Sequence, residues 1–385
     1  MSGARGIGGI VVAMALWFAA PASAARWTVL PSPDDGVLNA VACTSPTACT
    51  AVGLVGSPAG PGSILAERWN GRSWSVQPEV HPHWRGQSEW TAVSCAGPRF
   101  CIAIGEVVFA SSFSGRVRSI IGIWRGGNWS VSLPRDGGPG ANVSFQDTLG
   151  LVSCVSARFC VAGGWGLTSR LPPGSAPSAR RWNGARWSVM RTARGVTAPA
   201  SVWCGAPRAC LGISGNAFER WDGSRWSRAG RMPAAQGVAS VSWGGLACRS
   251  RTSCIDVGLG FPGGDASPVS LVAQWNGKTW RENTPDATST AASDVFWGPS
   301  SCTAALGCLI LGNNNAAVAG GPSPAEQSAR LWTGTQWAVF PAPSATTMIP
   351  GAPIQFSGVS CVARTCIAVG STGSSPVLTL IERYT

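Results

Sequence analysis

The sequence predicts an all-β chain folded as a seven-bladed β-propeller, with four antiparallel strands to each blade. Three observations carry this. Cysteines recur as seven evenly spaced pairs, a Trp-x-Gly-x-x-Trp motif recurs six times in step with them, and the two chain ends each carry part of one unit.

The cysteine pairs are Cys43/Cys49, Cys95/Cys101, Cys154/Cys160, Cys204/Cys210, Cys248/Cys254, Cys302/Cys308 and Cys361/Cys366. From Cys43 to Cys361 the mean period over six intervals is 53 residues, so seven units fill the chain. Self-similarity at this period is the signature of a repeat architecture. Each pair is expected to close a short hairpin between the first and second strands of its unit, contributing about 2 kcal/mol through chain entropy. Zinc is the rival use of paired cysteines. It calls for shorter spacing and two converging pairs, often with histidine, whereas His81 and His83 are the only histidines and both lie outside the repeat. The expectation is therefore disulfides, no metal and no cofactor.

Four residues after the second cysteine of each pair stands Gly53, Gly105, Gly164, Gly258, Gly312 or Gly370, with Ser214 in the fourth unit. The tryptophan pairs follow: Trp69/Trp74, Trp124/Trp129, Trp182/Trp187, Trp221/Trp226, Trp275/Trp280 and Trp332/Trp337. The first unit thus parses into strands 38–43, 49–55, 64–69 and 74–77. Asn70-Gly71 marks the last hairpin, since both residues tolerate the positive φ of a tight turn; Asn183-Gly184, Asp222-Gly223 and Asn276-Gly277 repeat it. Four-stranded units repeated seven times describe blades around a channel.

The chain ends predict closure of the ring. Arg26-Trp27-Thr28-Val29 matches the fourth strand of a unit, and Glu382-Arg383-Tyr384 matches the third strand Glu67-Arg68-Trp69. Joining them completes the seventh blade and removes an open edge. Residues 1–24 stand apart. Arg5, an apolar stretch from Ile7 to Ala20 and Ala22-Ser23-Ala24 read as a signal peptide with a small-x-small cleavage pattern. The expected domains are a signal peptide over 1–24 and one propeller over 25–385. The expected location is extracellular, secreted and with association to the cell wall left open, with no membrane span after cleavage. An even number of cysteines suits that oxidising compartment.

The net charge is +12 and Lys278 is the sole lysine. The arginines are scattered without runs, so compositional bias explains the charge better than an electrostatic footprint, and no specific nucleic-acid partner is expected. The motif tryptophans read as packing residues; sugar stacking is the lesser alternative.

At this point the chain resembles kelch-like propellers, which carry a glycine in the second strand and spaced aromatics in the outer half of each blade, as Gly53, Trp69 and Trp74 do here. It departs from them in its per-blade cysteine pair and its tighter aromatic spacing. It also looks like secreted bacterial repeat proteins reading Cys-x-Ala-Val-Gly followed by Trp-Asn-Gly-x-x-Trp. Neither resemblance supplies a function.

The spacing localises variation. From the second-strand glycine position to the third-strand aromatic the step runs from 7 to 20 residues, while both other turns of a unit are nearly fixed. All variable connections leave from one face, where loop chemistry on a rigid scaffold collects. Candidate ligand-binding residues are His81, His83, Trp84 and Arg85 there, together with Trp165 and Asp256. Trp203, Trp243 and Trp297 also fall outside the pairs and are expected at blade interfaces. Asp256 is the sole carboxylate in a row of small residues and is expected to pair with an arginine.

Enzyme signatures are sparse. A tyrosine-nucleophile sialidase site and a two-tyrosine copper site are excluded by a single tyrosine, Tyr384, in a structural slot. The leading expectation is a non-catalytic, monomeric extracellular module binding a polysaccharide or protein. The alternative is a propeller glycan hydrolase or lyase using carboxylates at the channel mouth, with Glu106, Glu219 and Asp256 as candidates.

Overall fold

The computed structural model describes residues 25–33, 35–55, 63–78, 86–109, 116–133, 147–168, 174–196, 198–199, 201–264, 268–285, 295–314, 328–343, 354–373 and 377–385. Seven antiparallel sheets occupy these residues, each a four-stranded blade, and no helix is present among them. The blades span 36–76, 87–132, 147–189, 201–231, 240–282, 295–339 and 354–384. Trp27–Val29 pairs with Leu378–Tyr384 and completes the seventh blade, with Trp27 opposite Tyr384.

Blade one shows how the sequence builds the unit. Its inner strand Gly36–Ser45 pairs with Ala48–Val55, then Ser63–Trp69, then the outer strand Trp74–Val76. A bulge falls between Leu38 and Ala40 of the inner strand, and its counterparts fall between Trp90 and Ala92 and between Phe356 and Gly358. This explains the glycine row. A Cβ at Gly53, Gly105 or Gly370 would collide with the bulged strand's carbonyl oxygen at Val37, Glu89 or Gln355.

The cysteines pair as expected. Cys43 stands opposite Cys49, Cys95 opposite Cys101, Cys154 opposite Cys160 and Cys204 opposite Cys210. Cys248 likewise faces Cys254, Cys302 faces Cys308 and Cys361 faces Cys366. All seven pairs are disulfides within their own hairpins. The pairing is as the sequence predicts, and the structure adds a second role for these residues. The second cysteine of every pair is also a core residue: Cys49, Cys101, Cys160, Cys210, Cys254, Cys308 and Cys366 are each at most 1% exposed. The reason is their place in the second strand of the blade, which is covered by the neighbouring blades. Cys101, for example, packs with Val52 and Ile64 of blade one, and Cys254 with Leu211 and Phe218 of blade four. These sulfurs therefore fill blade interfaces as small apolar groups besides closing loops.

The outer hairpin is set by the same residues in several blades. Asn70 Oδ1 accepts from the backbone N–H groups of Arg72 and Ser73 at 2.8 and 2.9 Å, and Gly71 takes φ +95°. Asn183, Asp222 and Asn276 repeat the pattern. Within each pair the tryptophan rings lie 5.4–5.8 Å apart and tilted. The first indole of four blades donates to a carbonyl in the adjacent disulfide loop: Trp69 to Pro46, Trp182 to Ala157, Trp221 to Pro207 and Trp275 to Arg251. The tryptophans thus pack and lock the two hairpins of a blade together.

Blades are joined by packing and by a recurring polar staple. The core is a ring of inter-blade clusters, such as Ile102, Ile104, Ile121 and Ile123 of blade two against Leu149, Ala162 and Trp182 of blade three. The serine before the first cysteine accepts from the next blade's first cysteine N–H at 2.9 Å in four junctions: Ser94 to Cys154, Ser153 to Cys204, Ser301 to Cys361 and Ser360 to Cys43. Arginine completes the joint. Arg68 lies 4.8 Å from the centroid of Trp124 in the next blade, Arg220 lies over Trp275 and Arg383 over Trp69.

Blade five departs from the pattern. Its inner strand is split into Ser240–Trp243 and Ala247–Ser250, both paired with Ser253–Phe261. The gap is Gly244-Gly245-Leu246, which faces the central channel.

Candidate functional site

The inner strands enclose a central cavity of about 670 Å³. Its described lining carries hydroxyl and amide groups, including Asn39, Thr91, Ser153, Ser300 and Asn313, with Trp203 and Phe356 as its aromatics and no charged side chain.

Blade two carries a carboxylate pair at its variable-loop end. Glu89 is in the inner strand Gln87–Gly97 and stands directly opposite Glu106 in Phe100–Phe109. By strand alternation Glu106 continues the row of Ile102 and Ile104, which packs against blade three. Its carboxyl is pushed above the ordinary glutamate range, first by burial, then by the Glu89 charge and by a hydrogen bond to Glu89. Thr91, two residues beyond Glu89, lines the cavity. The pair therefore lies at the variable-loop end of blade two, outside the residues that line the cavity. Sequence reasoning named Glu106 and missed Glu89. The signal was available: the glycine row pairs Gly105 with Trp90, which forces the preceding and following residues, Glu89 and Glu106, to face each other.

Asp256 does not pair with an arginine. It is fully buried, and its Oδ1 accepts from the backbone N–H groups of Gly244 and Gly245 at 3.1 and 3.2 Å. The carboxylate spans the break in the inner strand of blade five, sharing both donors with the Val257 carbonyl, which accepts from them at 3.3 and 3.0 Å. Burial pushes its pKa up to about 8 against the lowering effect of those two hydrogen bonds. Glu219 is likewise buried, opposite Gly212 and Arg228; burial raises its pKa to about 7 while the Arg228 charge opposes the rise. Glu106, Glu219 and Asp256 belong to blades two, four and five, and among the described residues no three acidic, histidine or cysteine groups gather in a metal-holding cluster.

The remaining candidates divide. His81, His83, Trp84 and Arg85 lie outside the described residues. Trp165 is in the strand Phe159–Thr168 opposite Thr148 and Pro177. Trp243 and Trp297 are buried between blades, as expected, whereas Trp203 lines the channel. Residues 1–24 lie outside the described residues, so the signal peptide is an expectation of the sequence alone. No described helix is long and apolar enough to cross a membrane.

No protein-family model matches the chain, and no curated protein matches it. Solved structures do resemble it. A GH74 xyloglucanase from Xanthomonas campestris superposes with a TM-score of 0.55 at 12% identity, covering 91% of this chain and 54% of that one. A Penicillium chrysogenum α-L-arabinanase complexed with arabinobiose gives 0.50 at 10% identity, covering 93% and 97%. The β-propeller domain of the trilobed protease from Pyrococcus furiosus gives 0.50 at 8% identity, covering 91% and 96%. The chain spans about half the length of the xyloglucanase. Identities this low show the shared propeller fold alone.

Two expectations are corrected by this comparison. The resemblance to kelch repeats does not extend to these solved neighbours, which include two glycoside hydrolase propellers and a protease propeller domain; the spaced aromatics it rested on pack against each other within the blades here. The expected non-catalytic binding module is overturned in the same way. Its propeller neighbours include glycan-cleaving enzymes, and the hydrolase alternative is the one they favour.

Proposed function

We propose that this chain is an exported propeller hydrolase that cleaves a polysaccharide at the variable-loop mouth of its channel. The observation that carries the reading is the Glu89–Glu106 pair. A glycosidic bond breaks when its leaving oxygen receives a proton, and a carboxyl held protonated near neutral pH is the group that supplies it. Glu106 is the candidate for that group, its pKa raised by burial, by the Glu89 charge and by a hydrogen bond to Glu89. Water adds to the anomeric carbon as the protonated leaving alcohol departs, and its proton returns to the Glu89–Glu106 pair. A direct hydrogen bond holds the two closer than the roughly 5–5.5 Å of carboxyl pairs that attack the sugar itself. The pair therefore acts together on the leaving-group side. The neutral hydroxyls and amides of the channel, with Trp203, suit uncharged sugar units threaded beneath the mouth.

The seven disulfides and the leader-like residues 1–24 support an extracellular setting. The test is hydrolysis of arabinan, xyloglucan and other neutral polysaccharides by residues 25–385, read as new reducing ends. Glu106→Gln is expected to lower the rate by at least about a hundredfold, the usual worth of a general acid. An active enzyme indifferent to both Glu106→Gln and Glu89→Gln overturns the assignment.

A further inference from the structure

A second feature lies on the opposite face, among the disulfide hairpins. Between blades four and five a pocket of about 230 Å³ is lined by three arginines, Arg208, Arg220 and Arg251, with Trp221, Thr252 and Gly277. No carboxylate lines it. Nearby Asp222 is committed to its own turn, its Oδ1 accepting from Ser224 N–H, Ser224 O–H and Arg225 N–H at 2.7, 2.7 and 2.9 Å.

Comparison with the first junction shows what this pocket lacks. There the equivalent guanidinium, Arg68, lies over Trp124 and is satisfied: it donates to Thr50 Oγ1 at 2.8 Å and to the Pro98 carbonyl at 2.6 Å. Arg220 takes the same place over Trp275, 5.3 Å from the ring centroid, and lies also over Phe218. Both acceptors are gone. Leu211 stands opposite Arg220 where Thr50 stands opposite Arg68. The carbonyl at the Pro98 position belongs to Arg251 and is taken by the Trp275 indole at 3.0 Å. The side chain at that position is itself a second guanidinium. Among the described residues Arg220 has no hydrogen bond and no ion pair, and Arg208 and Arg251 add further donors around it.

We infer that the pocket between blades four and five is a binding site for one acidic sugar unit, its phosphate or carboxylate held by Arg208, Arg220 and Arg251. The planar forks of guanidinium groups match both anions. The aromatic stack fixes Arg220 before the ligand arrives, which spares ordering cost. The volume admits a single sugar ring with its acid group and not a polymer segment. The inference goes beyond the hydrolase reading and stands without it, since it concerns the other face of the ring.

Isothermal titration of residues 25–385 at physiological salt with glucose 6-phosphate and with glucuronate tests it. Saturable one-to-one binding of at least one of them is expected, and which one binds distinguishes a phosphate from a carboxylate source. Arg208→Gln and Arg251→Gln, at exposed positions, are expected to weaken it about tenfold or more, the worth of a charge-assisted hydrogen bond. Arg72→Gln, an exposed arginine in another turn, is expected to leave it unchanged. Failure of both ligands to saturate overturns the site, and so does equal weakening by Arg72→Gln, which assigns the binding to overall charge.

Discussion

Trp27 and Tyr384, one near the start of the propeller and the other the penultimate residue of the chain, stand opposite each other in adjacent strands with ring centroids 5.6 Å apart. The indole of Trp27 also donates to the Pro341 carbonyl at 2.7 Å, and Tyr384 packs on Phe340 at 4.6 Å. The seam of the ring is thus tied to the sixth blade as well as to itself. Tyr384 fills the slot that tryptophan holds in the other six blades.

Removing residues 25–31 is expected to expose the edge of Leu378–Tyr384 and to promote association through it. Sedimentation should show oligomers, and the melting temperature should fall. A truncated chain that stays monomeric with an unchanged melting temperature contradicts the closure.

The tryptophan slot tolerates an aromatic of another shape, as Tyr384 shows. Trp69→Tyr is expected to cost little, while Trp69→Ala should cost about 3–5 kcal/mol by cavity formation. Denaturant unfolding of the two variants measures the difference. Equal costs contradict the packing role.

Replacing both Cys154 and Cys160 by serine removes one hairpin disulfide, expected to cost about 2 kcal/mol. Ser94→Ala strips the acceptor from the Cys154 N–H and should cost a further ~1–3 kcal/mol. Peptide mapping without reduction should return all seven bonds within their hairpins; a bond between blades contradicts the scheme.

Stability should fall as pH rises from about 4 to about 8. Asp256 is held at about 8 against an ordinary 3.8, and Glu219 at about 7 against 4.5. Across that window the folded chain therefore binds more protons than the unfolded one, and each unit of pH favours unfolding. The melting temperature near pH 5 should exceed that near pH 8. Asp256→Asn keeps an acceptor for Gly244 and Gly245 and should flatten the dependence. A melting temperature that rises toward pH 8 contradicts the burial of these acids.

The blades, their disulfides and the closing strand were legible because they rest on spacing, and spacing survives in a sequence. What escaped depends on contacts between units. The burial of Cys101 or Cys254 against the preceding blade is one such contact, invisible in the interval between two cysteines. The partner of Asp256 could not be read from an alternation that predicts an unbroken inner strand, because the break at Gly244-Gly245 is what creates its donors. Glu89 escaped because its significance lies in the register with Glu106. The recurring Glu-Arg in Glu67-Arg68, Glu219-Arg220 and Glu382-Arg383 was visible, but its meaning was not: the arginine reaches forward over the next blade's aromatic ring. Its glutamate is buried, and in blade one Glu67 Oε1 accepts from Ser32 Oγ at 2.8 Å.

The central claim is that Glu106, its pKa raised beside Glu89, acts as the acid in glycan cleavage at the channel mouth. The most direct measurement is the pH profile of reducing-end release from arabinan and xyloglucan by wild-type protein, Glu106→Gln and Glu89→Gln. The account predicts a wild-type rate that falls on the alkaline side as Glu106 loses its proton, abolition of that limb with the activity in Glu106→Gln, and its displacement in Glu89→Gln. Wild-type protein that releases no reducing ends from any polysaccharide, or a profile untouched by either change, contradicts it.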